Sequence, residues 1–237
     1  MARICYLGTE ERRAFLQSKA APGFEIGNIE RKDGPQTIES MYEEYLYIPI
    51  MIESVVQAEK EGYQAVITGC AGDPGLDGAR ELVRIPVTGP GESGMILANM
   101  LGYRFSVITI LDSVVRSTAE LAHRVGVSQK LASVKAIGVP VLEVRKREQS
   151  TYDALKRSAV EAIEKDHADV LVMGCASLSF YSDWLQNEMK IPVVNPLVAA
   201  LKMAEVLVSM NLTYSPLTYQ TPPKIAAGLM AAPCYKG

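Results

Sequence analysis

Two segments of this chain, far apart in sequence, repeat one another. The first reads Glu61-Gly62-Tyr63-Gln64-Ala65-Val66-Ile67-Thr68-Gly69-Cys70-Ala71-Gly72. The second reads Lys165-Asp166-His167-Ala168-Asp169-Val170-Leu171-Val172-Met173-Gly174-Cys175-Ala176-Ser177. Each is a helix end, a short turn, an apolar strand and then Gly-Cys-Ala. Downstream, Arg84-Ile85-Pro86-Val87-Thr88-Gly89-Pro90 answers Lys190-Ile191-Pro192-Val193-Val194-Asn195-Pro196, 15 residues from cysteine to isoleucine in the first copy and 16 in the second. Two matched blocks at nearly constant spacing point to a duplicated α/β unit. Two copies are too few for a solenoid.

The rest of the pattern fits that unit. Short β-rich runs fall at 3–7, 24–28, 65–68, 87–88, 105–110, 134–137, 170–173 and 193–194. Most are continuously apolar, as parallel strands buried on both faces are. Helical patterns lie between them at 37–61, 78–82, 94–101, 113–125, 151–165, 182–189 and 197–210. The alternation predicts an α/β fold with largely parallel sheets. One lobe is expected over residues 1–96 and a second over 97–200, with helix 197–210 returning to the first. The tail 211–237, with Tyr214-Ser215-Pro216 and Thr221-Pro222-Pro223, is expected to be irregular and to wrap a lobe or a neighbour.

Composition narrows the function classes. The 237 residues suffice for a sizeable core. A net charge of −3 argues against nucleic acid or an anionic membrane as the main partner. No apolar run reaches the roughly 18 residues a membrane span needs. The N-terminus reads as a first strand and not as a signal peptide, so a cytoplasmic protein is expected. The four cysteines (Cys5, Cys70, Cys175, Cys234) form no CxxC, and the only histidines are His123 and His167. No metal site and no disulfide framework is expected.

Chemistry therefore falls to cysteines acting singly or meeting in space. In open α/β sheets ligands bind beyond the carboxyl ends of the strands, where both Gly-Cys steps lie. A glycine there permits a sharp turn and a close ligand. The small residues that follow, Ala71-Gly72 and Ala176-Ser177, can turn their N–H groups to an oxyanion. Two lobes related by an approximate two-fold would bring the cysteines to opposite faces of one ligand. Inverting a carbon needs such a pair, one group removing a proton and the other delivering one. An ordinary thiol titrates at about 8.5, within reach of both roles. A lone cysteine at a buried strand end is more often packing, and Cys5 and Cys234 are read that way.

The residues resemble the aspartate/glutamate/hydantoin racemase superfamily, and within it the hydantoin and allantoin racemase branch. Asp33-Gly34-Pro35-Gln36-Thr37-Ile38-Glu39-Ser40 is similar to that branch's Gly-Pro-x-Ser-Ile-Glu segment. Gly69-Cys70-Ala71-Gly72-Asp73-Pro74-Gly75-Leu76-Asp77-Gly78-Ala79-Arg80-Glu81 resembles its Cys-x-x-Asp-Pro-Gly-Leu-x-x-Ala-Arg-Glu motif. Pro86-Val87-Thr88-Gly89-Pro90-Gly91-Glu92-Ser93, Phe105-Ser106-Val107-Ile108-Thr109 and Gly174-Cys175-Ala176 complete the likeness, which spans about 1–210. It implies two flavodoxin-like lobes, no cofactor, no metal, and proton transfer by Cys70 and Cys175. The family's Asn-Pro-Asn-Thr run after the first strand is replaced by Leu7-Gly8-Thr9-Glu10, and its Ala-Gly-Met after the second cysteine by Ala176-Ser177-Leu178. The expected substrate is a 5-substituted hydantoin, allantoin or a related ureido compound. Aspartate or glutamate, a maleate-type isomerisation, a malonate decarboxylation or ligand binding without catalysis stand as alternatives.

Several other residues carry expectations. Gly8 and Thr9 offer backbone N–H groups and a hydroxyl to the substrate. Glu92 and Ser93 could orient an amide, or Ser93 could cap a helix near Gly94. Thr109 could bind a carbonyl. Thr37 is expected to cap the helix it opens. Asp73, whose charge would disfavour a thiolate at Cys70, is expected to point away or to pair with Arg80. The clusters Arg12-Arg13, Arg31-Lys32 and Arg145-Lys146-Arg147 read as solvated surface, and Tyr42, Tyr45 and Tyr47 as surface or a contact in a homo-oligomer.

Overall fold

The computed structural model describes residues 1–30 and 33–233, so Arg31, Lys32 and Cys234 lie outside the described residues. Strands β1 (Ala2–Leu7), β2 (Phe24–Ile29), β3 (Ala65–Ile67) and β4 (Val87–Thr88) form one parallel sheet in the order β2-β1-β3-β4. Strands β5 (Phe105–Thr109), β6 (Leu131–Ala136), β7 (Val170–Met173) and β8 (Val193–Val194) form a second in the order β6-β5-β7-β8. The helices are α1 (Glu10–Lys19), α2 (Met41–Lys60), α3 (Leu76–Leu82), α4 (Pro90–Leu101), α5 (Val115–Val125), α6 (Val141–Lys146), α7 (Gln149–Glu164), α8 (Ser182–Met189), α9 (Pro196–Ser209) and α10 (Pro223–Ala226). The fold is α/β with two similar sheets, as the repeated segments require.

The registers of the sheets correspond residue for residue. Ile67 pairs with Tyr6 and Thr88, and Val172 pairs with Val107 and Val194. The step from 67 to 70 equals the step from 172 to 175, so both cysteines leave the carboxyl end of the third strand at the same height. By the same register Gly8 and Thr109 are counterparts beyond Leu7 and Ile108.

Two helices exchange partners across the halves. Helix α4 packs on β7 and β8 of the second sheet, α9 packs on β3 and β4 of the first, and the two pack on each other. Met95 and Ala98 join Val170, Val172 and Val194 in one core, and Leu197, Ala200 and Leu201 join Ile4 and Ile67 in another. Each such Leu or Ile contributes about 1.5–3 kcal/mol through its burial, so the exchange fastens the halves. The expected division near residue 96 falls inside α4.

Several elements differ from the sequence reading for local reasons. Helix α1 gave no apolar stripe, because only Leu16 of its ten residues is buried. Strand β6 starts at Leu131, earlier than its apolar run; it is a half-buried edge strand carrying Ser133 and Lys135. Helix α2 starts at Met41, and its cap is Ser40, not Thr37. The Ser40 hydroxyl accepts from the Glu43 N–H at 3.3 Å while the Glu43 carboxylate accepts from the Glu39 N–H at 2.7 Å, a capping-box exchange. Helix α4 starts at Pro90, so Ser93 lies within its first turn and caps nothing.

The tail returns to the first sheet's side. The Tyr214 ring stacks on the Arg80 guanidinium at 3.8 Å, and its hydroxyl donates to the Val87 carbonyl at 2.9 Å. Among the described residues no helix is long and apolar enough to cross a membrane.

Candidate active site

Both cysteines line one cleft between the carboxyl ends of the two sheets, with a volume of about 190 Å³. The glycine before each makes this placement possible, though not by turning sharply. A Cβ on Gly69 would lie 2.1 Å from the Leu7 carbonyl oxygen. A Cβ on Gly174 would lie 2.7 Å from Val107 Cγ1 and 3.1 Å from the Ile108 carbonyl oxygen. Neither glycine has a positive φ. Each instead lets its strand end pass flush against the central neighbouring strand. After each cysteine the chain makes the same turn: Asp73 N–H donates to the Cys70 carbonyl at 3.2 Å and Leu178 N–H to the Cys175 carbonyl at 3.0 Å. That turn sets Ala71-Gly72 and Ala176-Ser177 against the cleft.

Of the residues singled out in the sequence, Gly8, Thr9, Cys70, Ala71, Gly72, Thr109, Cys175, Ala176 and Ser177 all line this cleft. The Thr109 side chain is fully buried and its hydroxyl has no hydrogen-bond partner among the described residues. Glu92 and Ser93 do not line the cleft. Glu92 is ion-paired with Arg80 beneath it, and Ser93 is buried within α4. Asp73 does not pair with Arg80 either. Its carboxylate accepts from the Gly91 and Glu92 N–H groups at 3.0 and 2.6 Å, capping α4, and a Cβ on Gly89 would lie 2.4 Å from it. Arg80, 5 % exposed, donates to the Val87 carbonyl at 2.9 Å and to the Tyr214 hydroxyl at 2.7 Å. The Asp-Pro-Gly-Leu block is thus scaffolding that fixes the loop behind Cys70.

Four cleft residues escaped the sequence reading. Arg12 is not solvated surface: it projects from the first turn of α1 and donates to Ser177 Oγ at 2.6 Å, bridging the two halves. Arg145 also lines the cleft. Tyr47 turns inward, whereas Tyr42 and Tyr45 are 70 % and 63 % exposed. Glu44 is buried and lines the cleft near Gly72, where a Cβ would lie 2.8 Å from its Oε1. The loop with Gln36, Thr37 and Ile38 closes one side, and its Glu39 accepts from Ser113 Oγ at 2.6 Å and from the Val141 N–H at 2.5 Å.

The charges are unevenly spread. Burial pushes the Cys70 thiol far above the ordinary thiol range; the Gly72 N–H opposes this, while the charges of Cys175, Glu44 and Asp73 add to it. Burial thus favours the neutral thiol at Cys70. Burial likewise raises the Glu44 carboxyl. The guanidiniums of Arg12 and Arg145 stand instead on the Cys175 side, each within its electrostatic reach. Cys5, inside β1, is pushed by burial up to about 12 and packs in the core. Among the described residues no three His, Cys, Asp or Glu side chains are grouped as metal ligands would be.

Known proteins resemble this chain in sequence and fold. Residues 9–204 match the family described as Asp/Glu/hydantoin racemase. A hydantoin racemase from Pseudomonas sp. strain NS671 is 35% identical over 209 residues, 88% of this chain and 84% of that one. The structure of an allantoin racemase from Pseudomonas fluorescens superposes with a TM-score of 0.87 at 30% identity, covering 93% of this chain and 97% of that one. An allantoin racemase from Klebsiella pneumoniae gives a TM-score of 0.88 at 28% identity, with 94% of each chain covered. With the family model spanning most of the chain and relatives above 30% identity along its length, the chain belongs to the Asp/Glu/hydantoin racemase family and is an isomerase of the racemase type.

Proposed function

We propose that the chain racemises a 5-substituted hydantoin, allantoin or a related cyclic ureide, with Cys70 and Cys175 exchanging a proton at the ring carbon next to the carbonyl. The observation that carries this reading is the pair of thiols at equivalent strand ends of opposite sheets, lining one cleft. A planar ring seated between them offers one face to each sulfur. In one direction Cys175 takes the C5 proton as thiolate and Cys70, held as the thiol, returns one to the other face. The electron pair of the broken C–H bond moves into the adjacent carbonyl as an enolate. The backbone of Ala71-Gly72 and Ala176-Ser177 stands where N–H groups can stabilise that oxygen. In the reverse direction the sulfurs trade roles, so both enantiomers are substrates.

The size of the cleft suits this class. About 190 Å³ admits a substituted five-membered ring and not a polymer. A cyclic ureide also has a more acidic α-proton than an amino acid carboxylate, so a thiolate base and a thiol acid suffice without a cofactor.

The test is deuterium incorporation at the α-carbon in D₂O, followed by NMR, with chiral separation of the products. The panel is a neutral 5-alkyl hydantoin, allantoin, aspartate, glutamate and maleate. Exchange with loss of optical purity confined to the cyclic ureides is the expected result. Turnover of aspartate or glutamate alone would replace the substrate class, and maleate isomerisation alone would replace the reaction.

A further inference from the structure

Two arginines of the cleft wall lack an anionic partner. Arg12 donates to the neutral Ser177 hydroxyl and faces the neutral Tyr6 hydroxyl, and no carboxylate lies within 4 Å of Arg12 or Arg145 among the described residues. Both are close to Cys175 and to one another, and the neighbouring Arg12 charge, after burial, lowers the basicity of Arg145. Two like charges sharing a half-buried wall repel, and an anion between them relieves that repulsion. The same pair borders a side pocket of about 100 Å³, which opens off the main cleft past Thr9 and Ser177. Arg147 and Glu11 also face it. They neutralise each other in an ion pair of 2.7 Å, and Arg147 stacks on Phe180 at 4.4 Å. The net charge of this pocket therefore comes from Arg12 and Arg145.

We infer that the side pocket binds a carboxylate on the C5 substituent of the substrate, held by Arg12 and Arg145 while the ring lies between the cysteines. This deepens the reading of the site as a cyclic-ureide racemase and rests on it. Neither cysteine lines this pocket, so it receives the substituent and not the ring. Guanidiniums suit this, since a planar fork of donors matches a carboxylate and keeps its charge at every accessible pH. Arg12 and Arg145 are specificity-determining groups here; the proton transfers belong to the cysteines.

The test compares 5-(2-carboxyethyl)hydantoin with its primary amide, which has the same shape and no charge. Deuterium exchange at C5 is measured at low and high salt, and binding of both compounds by calorimetry. The expected kcat/KM for the acid exceeds that for the amide by roughly tenfold or more at low salt, mostly through KM. Arg145→Gln is expected to collapse that ratio by about the same factor, and Arg145→Lys to keep part of it, the charge without the fork. Added salt is expected to shrink it. Because Arg12 also bridges to Ser177, Arg12→Gln is read only with an unfolding curve beside it. Acid and amide exchanging equally well, or a ratio unmoved by Arg145→Gln, overturns this inference and leaves the racemase reading standing. Tight binding of the acid over the amide, abolished by Arg145→Gln but with no exchange of either, supports the anion pocket and overturns the racemase reading instead.

Discussion

Around Cys70 the nearby ionisable groups are acids, Glu44 and Asp73, whereas Cys175 faces the guanidiniums of Arg12 and Arg145. Yet both thiols hang from the same register of equivalent sheets, behind the same glycine and before the same turn. The matched strands and turns set the backbone geometry, and the helices around them set opposite charge, Glu44 on α2 and Arg12 and Arg145 on α1 and α6. The contrast extends to the supports. Helix α4 is capped from outside by Asp73, while α9 is capped by its own Asn195, whose Oδ1 accepts from the Val198 N–H at 3.2 Å. The first half carries an Arg80–Glu92 ion pair, its arginine buried under the tail tyrosine Tyr214, and no ion pair of α8 with α9 answers it among the described residues of the second half. A racemase must handle mirror-image substrates, but under the proposed mechanism its two sides need be alike only at the two thiols.

The largest expected effect strikes the shared feature. Cys70→Ser and Cys175→Ser should each lower the racemisation rate by roughly 10²–10⁴-fold, since a hydroxyl is a poor base and a poor acid in place of a thiol. Chiral chromatography of the reaction checks this, and a variant within a few-fold of the parent would break the equivalence of the halves.

Next comes the support found only in the first half. Arg80→Met leaves the half-buried Glu92 carboxylate without its partner and removes one donor each from the Val87 carbonyl and the Tyr214 hydroxyl, at a cost of up to about 3–5 kcal/mol. Urea unfolding measures it. A loss below 1 kcal/mol would mean that the tail and α4 hold the loop without that pair.

The paired glycines sharpen the comparison further. Gly69→Ala meets a backbone carbonyl oxygen at 2.1 Å, whereas Gly174→Ala first meets a side-chain methyl at 2.7 Å. Overpacking typically costs about 1–3 kcal/mol; the Gly69 variant is expected at or above the upper end and the Gly174 variant at the lower. Equal unfolding midpoints would contradict the close approach at Gly69.

The smallest effect concerns the acid beside Cys70. Burial first, and then neighbouring negative charge including Glu44, raise the Cys70 thiol. Glu44→Gln removes one raising influence, so Cys70 loses its proton at lower pH. Where Cys70 must be protonated to donate, the alkaline fall of kcat/KM is expected to move to lower pH, by less than about one unit. An unmoved or upward-moving limb would exclude Glu44 as a neighbour of the proton donor.

The repeated Gly-Cys steps made the two parallel sheets and the meeting of the cysteines legible, because a duplicated α/β unit leaves apolar strands and glycines at fixed offsets. Glu92 and Asp73 were legible as important but not as to purpose. Their partners, Arg80 and the start of α4, are set by the loop's path and not by sequence spacing. Arg12 and Arg145 were read as solvated because basic pairs on short polar segments usually are. Only the placement of α1 and α6 against the cleft turns them inward. A cue existed in Glu10–Lys19, where acidic residues open and a lysine closes a stretch with one apolar anchor, Leu16.

The measurement that bears most directly on the pair of sulfurs is C5 deuterium exchange in D₂O, followed separately for the R and S enantiomers of one neutral hydantoin with Cys70→Ser and Cys175→Ser. If each sulfur serves one face, each variant is expected to retain exchange of one enantiomer and lose the other, with the two variants opposite in preference. Loss or retention of both enantiomers alike in both variants would contradict one sulfur per face.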